Sequence, residues 1–137
     1  MKKKWIVVAE SNRARIYSVE SRFSPLREID EIVHHVSHEE PANGQLEGNG
    51  QGGRHPMETR IEPKKLETVH FAHDVGERLE NARRVGDYND LVLISSPSFL
   101  GMLKQNLGTV TQRHISQTIN KNLIHKSESE IRDYLFQ

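Results

Sequence analysis

The chain has 137 residues, with 19 Lys+Arg against 19 Asp+Glu, eight His and no Cys, a size that suits one domain over residues 1–137. The lack of Cys excludes disulfides, thiolate metal sites and Cys nucleophiles, and a pI near 7.1 excludes a surface that is basic all round. No run approaches the roughly 18 apolar residues of a membrane span, and the apolar stretch after the MKKK start is too short for a secretory signal, so the expectation is a cytoplasmic protein without membrane insertion.

Trp5-Ile6-Val7-Val8-Ala9 is an unbroken apolar run, the form of a strand buried on both faces, and Glu10-Ser11-Asn12 supplies turn residues behind it. Arg13–Val19 carries Ile16, Tyr17 and Val19 among polar residues and reads as the second strand of a hairpin. For the next stretch periodicity leaves helix and strand open. Leu26, Ile29, Ile32, Val33 and Val36 fit helical spacing, but Ile32, Val33 and Val36 are also strand formers. From Ser37 to Arg60 the apolar content falls to Ala42, Leu46 and Met57, and five of the nine glycines gather there. Such a segment cannot bury enough surface to offset its ordering entropy, so residues 37–60 are expected to form a flexible Gly-rich loop. This stretch is where the polarity behind a mean hydropathy of −0.70 is concentrated.

Pro63 suits a first helical residue, and Leu66, Val69, Ala72, Val75, Leu79 and Ala82 follow at three- and four-residue steps as one apolar stripe. Gly86-Asp87 ends that helix. Leu91-Val92-Leu93-Ile94 reads as another buried strand, and Ser95-Ser96-Pro97 as a helix N-cap with Pro at the first position. Phe99, Leu100, Met102, Leu103 and Leu107 give the next helix its sheet side, and Gly108 is placed to close it. Ile115 and Ile119 mark a last strand, and Ser127-x-x-Glu130 is a capping-box pattern before Ile131, Tyr134 and Leu135. Strands first, then helix and strand in alternation, imply an α/β fold whose sheet begins antiparallel and continues parallel.

Four blocks carry a resemblance: Trp5-Ile6-Val7-Val8-Ala9-Glu10-Ser11-Asn12-Arg13-Ala14-Arg15-Ile16-Tyr17, Phe71-Ala72 on the long helix, Leu91-Val92-Leu93-Ile94-Ser95-Ser96-Pro97-Ser98-Phe99-Leu100-Gly101, and Asn120-Lys121-Asn122-Leu123. Over nearly the whole chain they resemble the bacterial host attachment protein family. That family is similar to the middle domain of class-I peptide release factors. The resemblance implies a ribonuclease H-like mixed five-stranded sheet with helices packed on it, and it is what assigns Leu26–Val36 as the third antiparallel strand. The chain departs from the family pattern at Glu10, where Asp is common, and at Ser95-Ser96, where small apolar or Pro residues are common.

By the same resemblance, the loop corresponds to the release-factor loop whose Gly-Gly-Gln tip reaches the peptidyl-tRNA ester. Here it reads Gly48-Asn49-Gly50-Gln51-Gly52-Gly53-Arg54, which makes Gln51 the candidate catalytic residue of a peptidyl-ester hydrolase and Gly50, Gln51, Gly52 and Gly53 the loop tip. Glycines allow close approach to RNA, and a Gln amide orients a water or the leaving oxygen. Asn49 breaks the triplet, however, and Asn-Gly-Gln occurs twice, as a solvated linker also allows. The chain is therefore read as a binding module before an enzyme, with the ribosome, structured RNA or a protein partner in attachment as its target.

The charges point the same way. Between Ser98 and Ser127 stand Lys104, Arg113, Lys121 and Lys126 with no Asp or Glu, the one-sided stretch that phosphate contact requires, although a solvated face gives the same pattern. Arg13 and Arg15, alternating on one strand, and Arg54 of the loop complete the RNA-binding set. His70, His73, Asp74 and Glu77 share one helical face, but a single helix without a His-Glu-x-x-His pattern gives no reason to expect a metal, and no cofactor is implied. Ser95 and Ser96 lie at the carboxyl end of a parallel strand, where α/β sheets place ligands, yet outside any Gly-x-Ser-x-Gly elbow. Glu10 and Asp90 are acids of the type a ribonuclease H metal pair uses, with no third member.

Overall fold

The apolar run at the start of the chain becomes the middle of the sheet. In the computed structural model, which describes residues 3–34 and 63–136, β1 (Lys4–Glu10) pairs antiparallel with β2 (Arg13–Val19) and parallel with β4 (Asp90–Ile94). β3 (Arg27–Val33) adds antiparallel to β2, and β5 (Ile115–Ile119) adds parallel to β4, giving the order β3-β2-β1-β4-β5. This is the five-stranded mixed sheet that the sequence and its resemblance imply. Every residue from Trp5 to Ala9 is at most 5% exposed, because both faces of β1 are covered and no position can be polar.

Helices α1 (Pro63–Arg84) and α2 (Pro97–Gln105) cover one face, where Trp5, Val7, Ile16 and Leu93 meet Phe71, Val75, Leu79 and Phe99. The other face carries Ile6, Val8, Tyr17 and Ile94 and is closed by Leu123, Ile124 and α4 (Glu128–Leu135), which contributes Ile131 and Leu135. Side chains alternate along a strand, so one tract feeds two cores, each fully buried residue contributing roughly 1.5–3 kcal/mol.

Element ends follow from local chemistry. Gly86 takes φ +81°, its N–H donates to the Arg83 carbonyl, and the Asp87 N–H donates to the Ala82 carbonyl at 2.9 Å, which together satisfy carbonyls the end of α1 would leave open. At α4 the capping box is complete: the Glu130 N–H donates to Ser127 Oγ at 3.1 Å and the Ser127 N–H to Glu130 Oε1 at 3.0 Å. Those hydrogen bonds, the backbone one first, hold the Glu130 carboxyl below its ordinary pKa.

Three expectations need correction. The stripe on α1 begins at Phe71, since Leu66 and Val69 are 42% and 39% exposed; a helix of 22 residues is about 33 Å long and overhangs strands of five to seven. Gly108 does not close α2, which ends at Gln105 with Asn106 as its cap. It starts an additional short helix, α3 (Thr109–Arg113), and its N–H donates to Glu80 Oε2 at 2.6 Å. The expected start of α2 is borne out, with Ser96 as N-cap and Pro97 at the first position; Ser96 makes no side-chain hydrogen bond, and Pro97, which has no N–H to satisfy, makes that bond less necessary. β3 runs over Arg27–Val33, with Leu26 buried just before it, while residues 35 and 36 of the expected strand lie outside the described residues.

Gly76 explains how closely α1 approaches the end of α2: a Cβ there would stand 2.9 Å from Asn106 Cβ. One turn on, burial works against the Glu80 charge, but hydrogen bonds from Gly108, Thr111 and Arg83 and the charge of Arg83 outweigh it and hold the carboxyl below its ordinary pKa. Tyr88 stacks on Trp5 with centroids 5.0 Å apart and donates to the Leu79 carbonyl at 2.8 Å; burial, with the Glu80 charge second, pushes its hydroxyl up to about 12.

Candidate functional site

The sheet has two ends of different character. At the carboxyl ends of β1, β4 and β5, three blocks far apart in sequence converge. Asn122 Nδ2 donates to Glu10 Oε1 at 3.4 Å, Arg15 Nη1 donates to the Ile124 carbonyl at 3.1 Å, and the Ser95 N–H donates to the Ile119 carbonyl at 3.0 Å. His34 closes β3 at this same end, its N–H on the Asn12 carbonyl at 3.0 Å and its ring 5.8 Å from that of Phe71. The loop 37–60 follows it in sequence; Gly50, Gln51, Gly52, Gly53 and Arg54 lie outside the described residues.

The cations named from the sequence fall into two groups. Arg13 and Arg15 project from the α4 side of β2 and meet acids of β3: Arg13 Nε is 2.5 Å from Glu31 Oε2, and Arg15 Nε is 3.6 Å from Glu28 Oε2. Arg78 of α1 is likewise held by Asp30 at 2.9 Å on the opposite face. Lys104, Arg113, Lys121 and Lys126 are exposed; Lys104, Arg113 and Lys121 have no acidic partner among the described residues, whereas Lys126 lies near enough to Glu130 for its charge to help hold that carboxyl below its ordinary pKa. Lys121 lies 6.0 Å from the centroid of the Tyr134 ring, which leaves its charge available. These four do not form one cluster. Lys104 and Arg113 precede β5 while Lys121 and Lys126 follow it, and the length of the strand sets the two pairs about 15 Å or more apart along that edge.

The remaining candidates separate. Asp90 stands opposite Lys4 at the start of β4, its Oδ2 3.9 Å from Lys4 Nζ, whereas Glu10 ends β1 about 20 Å further along, so the two acids cannot share an ion. His73, Asp74 and Glu77 do come together, with ligand atoms within 4.8 Å of one another, but all three are exposed and come from one helix; His70 is outside that group. Ser95 is fully buried, so it is closed to a substrate, and its hydroxyl has no hydrogen-bond partner among the described residues; Ser96 caps α2.

The opposite end of the sheet holds what the sequence does not announce. Around the amino end of β1 and the β2–β3 connection lie adjoining cavities of about 430, 260 and 260 Å³, all walled in part by Val19 and Glu20. Lys4, Arg22 and Arg132 gather there on the Phe136 ring, at 5.4, 6.0 and 5.3 Å from its centroid. These residues come from β1, the β2–β3 connection and the last helix, so no local pattern could bring them out. Among the described residues no helix is long and apolar enough to cross a membrane.

A model of the family described as "Protein required for attachment to host cells" matches residues 5–135. No curated protein matches the chain. A solved structure described as "Archaeal protein" is similar over 98% of this chain and 36% of its own length, with 13% identity and a TM-score of 0.48, so this chain spans little more than a third of that protein.

Proposed function

Since the chain belongs to the family of proteins required for attachment to host cells, we propose that it is a non-enzymatic binding module that works in the cytoplasm and contacts structured RNA of the translation machinery through its β5 edge. The observation that carries this reading is the exposed set Lys104, Arg113, Lys121 and Lys126, of which Lys104, Arg113 and Lys121 have no acidic partner among the described residues, in a chain of zero formal charge. Cations left free beside neutralised ones are what phosphate contact uses, because each phosphate that is bound releases counterions. The resemblance to release-factor middle domains supports the ribosome as the source of that RNA. Arg13 and Arg15 are left out of the contact, since Glu31 and Glu28 already engage them. No described residue favours the hydrolase reading on Gln51.

The test is co-sedimentation with ribosomes and a filter-binding titration on ribosomal RNA at low salt. Arg113→Glu and Lys121→Glu should each weaken binding roughly tenfold, across RNA sequences alike. Absence of RNA binding by the unaltered chain at low salt, or full binding by the double variant, contradicts the reading.

A further inference from the structure

We infer that the amino end of the sheet is a second RNA contact, one that takes an unpaired nucleotide, with its base stacked on Phe23 and its phosphate among Arg22, Arg132 and Lys4. Phe23 is 87% exposed on the β2–β3 connection, with the Arg22 guanidinium 5.9 Å from its ring centroid. An aromatic ring left in water with a cation at one side presents the surface on which single-stranded bases stack without regard to sequence.

The cationic side is built around Phe136. Lys4, Arg22 and Arg132 lie within 6.0 Å of its centroid, beside a cavity of about 260 Å³ that Lys4, Arg22 and Phe136 help to line. Lys4 has Asp90 at 3.9 Å, and Glu20 and Glu128 line the adjoining cavities, but neither Arg22 nor Arg132 is in an ion pair with an acid among the described residues, so both guanidinium charges are open to a closer anion. A phosphodiester is such an anion. The arrangement is also held in place: Arg132 donates to the carbonyls of Ser24 and Arg22, tying the connection that bears Phe23 to α4. Glu20 lines the same cavity and opposes an anion, which gives the idea a sign that can be checked.

A membrane fits this surface less well. Phe23 is flanked by Ser21, Arg22 and Ser24, and inserting it would carry a guanidinium toward hydrocarbon. The inference rests on RNA being the partner, but it uses residues that the β5 edge does not.

The measurement is fluorescence anisotropy of the full chain with a labelled octauridylate and, separately, with an RNA duplex, at low salt. Phe23→Ala should weaken the octamer roughly 5- to 100-fold and leave the duplex unchanged, Phe23→Trp should restore octamer binding, and Glu20→Gln should tighten it. Octamer binding that Phe23→Ala leaves intact while Arg113→Glu removes it overturns this inference and spares the β5-edge reading. If the unaltered chain binds neither RNA, both fall. Phe23-dependent sedimentation with phosphatidylserine vesicles, with octamer binding unaffected, would assign the tip to lipid and likewise overturn it.

Discussion

From Arg13 to Val33 the chain carries four cations and four acids; from Ser98 to Lys126 it carries four cations and no acid. In the first region opposite charges on one face meet diagonally across β2 and β3, Arg13 with Glu31 and Arg15 with Glu28, so the charge of these residues serves the sheet. In the second, β5 itself is uncharged and the cations stand in the segments around it, where Lys104, Arg113 and Lys121 have no acidic partner among the described residues. Glu80 reaches that region from α1, but it is engaged by the Gly108 N–H and by Arg83. Arg13 and Arg15 are thus engaged where Lys104, Arg113 and Lys121 are not, and what decides it is which strand lies alongside.

The sharpest way to break this contrast is to reverse one charge in each region. Arg15→Glu would face Glu28 and remove the donor to the Ile124 carbonyl, and should cost about 2 kcal/mol in chemical denaturation. Glu28→Arg in the same chain should recover most of the loss. Lys121→Glu should change stability by less than about 0.5 kcal/mol. Equal costs for the two would mean that both regions use their charges structurally.

A second variant tests the seam that carries the basic stretch. Gly76→Ala places a Cβ 2.9 Å from Asn106 Cβ, so α2 and its connection must shift; overpacking of this kind costs about 1–3 kcal/mol, less up to about 1 kcal/mol of gained helix propensity. Thermal unfolding checks it, and a gain in stability would show that the seam yields. Smaller still, Glu80→Gln should cost about 1 kcal/mol near neutral pH. The folded-state pKa of Glu80 is depressed, so its contribution is complete above the ordinary carboxylate range and is lost as pH falls through the folded value. The variant and the unaltered chain should therefore converge in acid, which a denaturation series against pH would follow.

Much of the fold was legible because its signals are local. The run Trp5–Ala9, the Pro97 start, the Gly86 stop and the Ser127–Glu130 box each act within one turn or one strand. Arg27–Val33 was not legible from periodicity, since an edge strand whose residues are mostly exposed has little apolar pattern to show; the family resemblance supplied it. The short helix after Gly108 escaped notice because its start depends on a carboxylate 28 residues away. The candidate site was legible in part. Sequence identifies the acid-free stretch, but only strand pairing shows that Arg13 and Arg15 are engaged, and only tertiary packing brings Lys4, Arg22 and Arg132 to one ring.

The most direct test of the contrast is the salt dependence of RNA affinity. If the four cations around β5 meet phosphates, the logarithm of the association constant should fall with the logarithm of salt concentration with a slope of roughly −3, and Arg113→Ala should reduce that slope by about one while Arg13→Ala leaves it unchanged. Identical slopes for the unaltered chain and Arg113→Ala, or a loss confined to Arg13→Ala, would contradict the account.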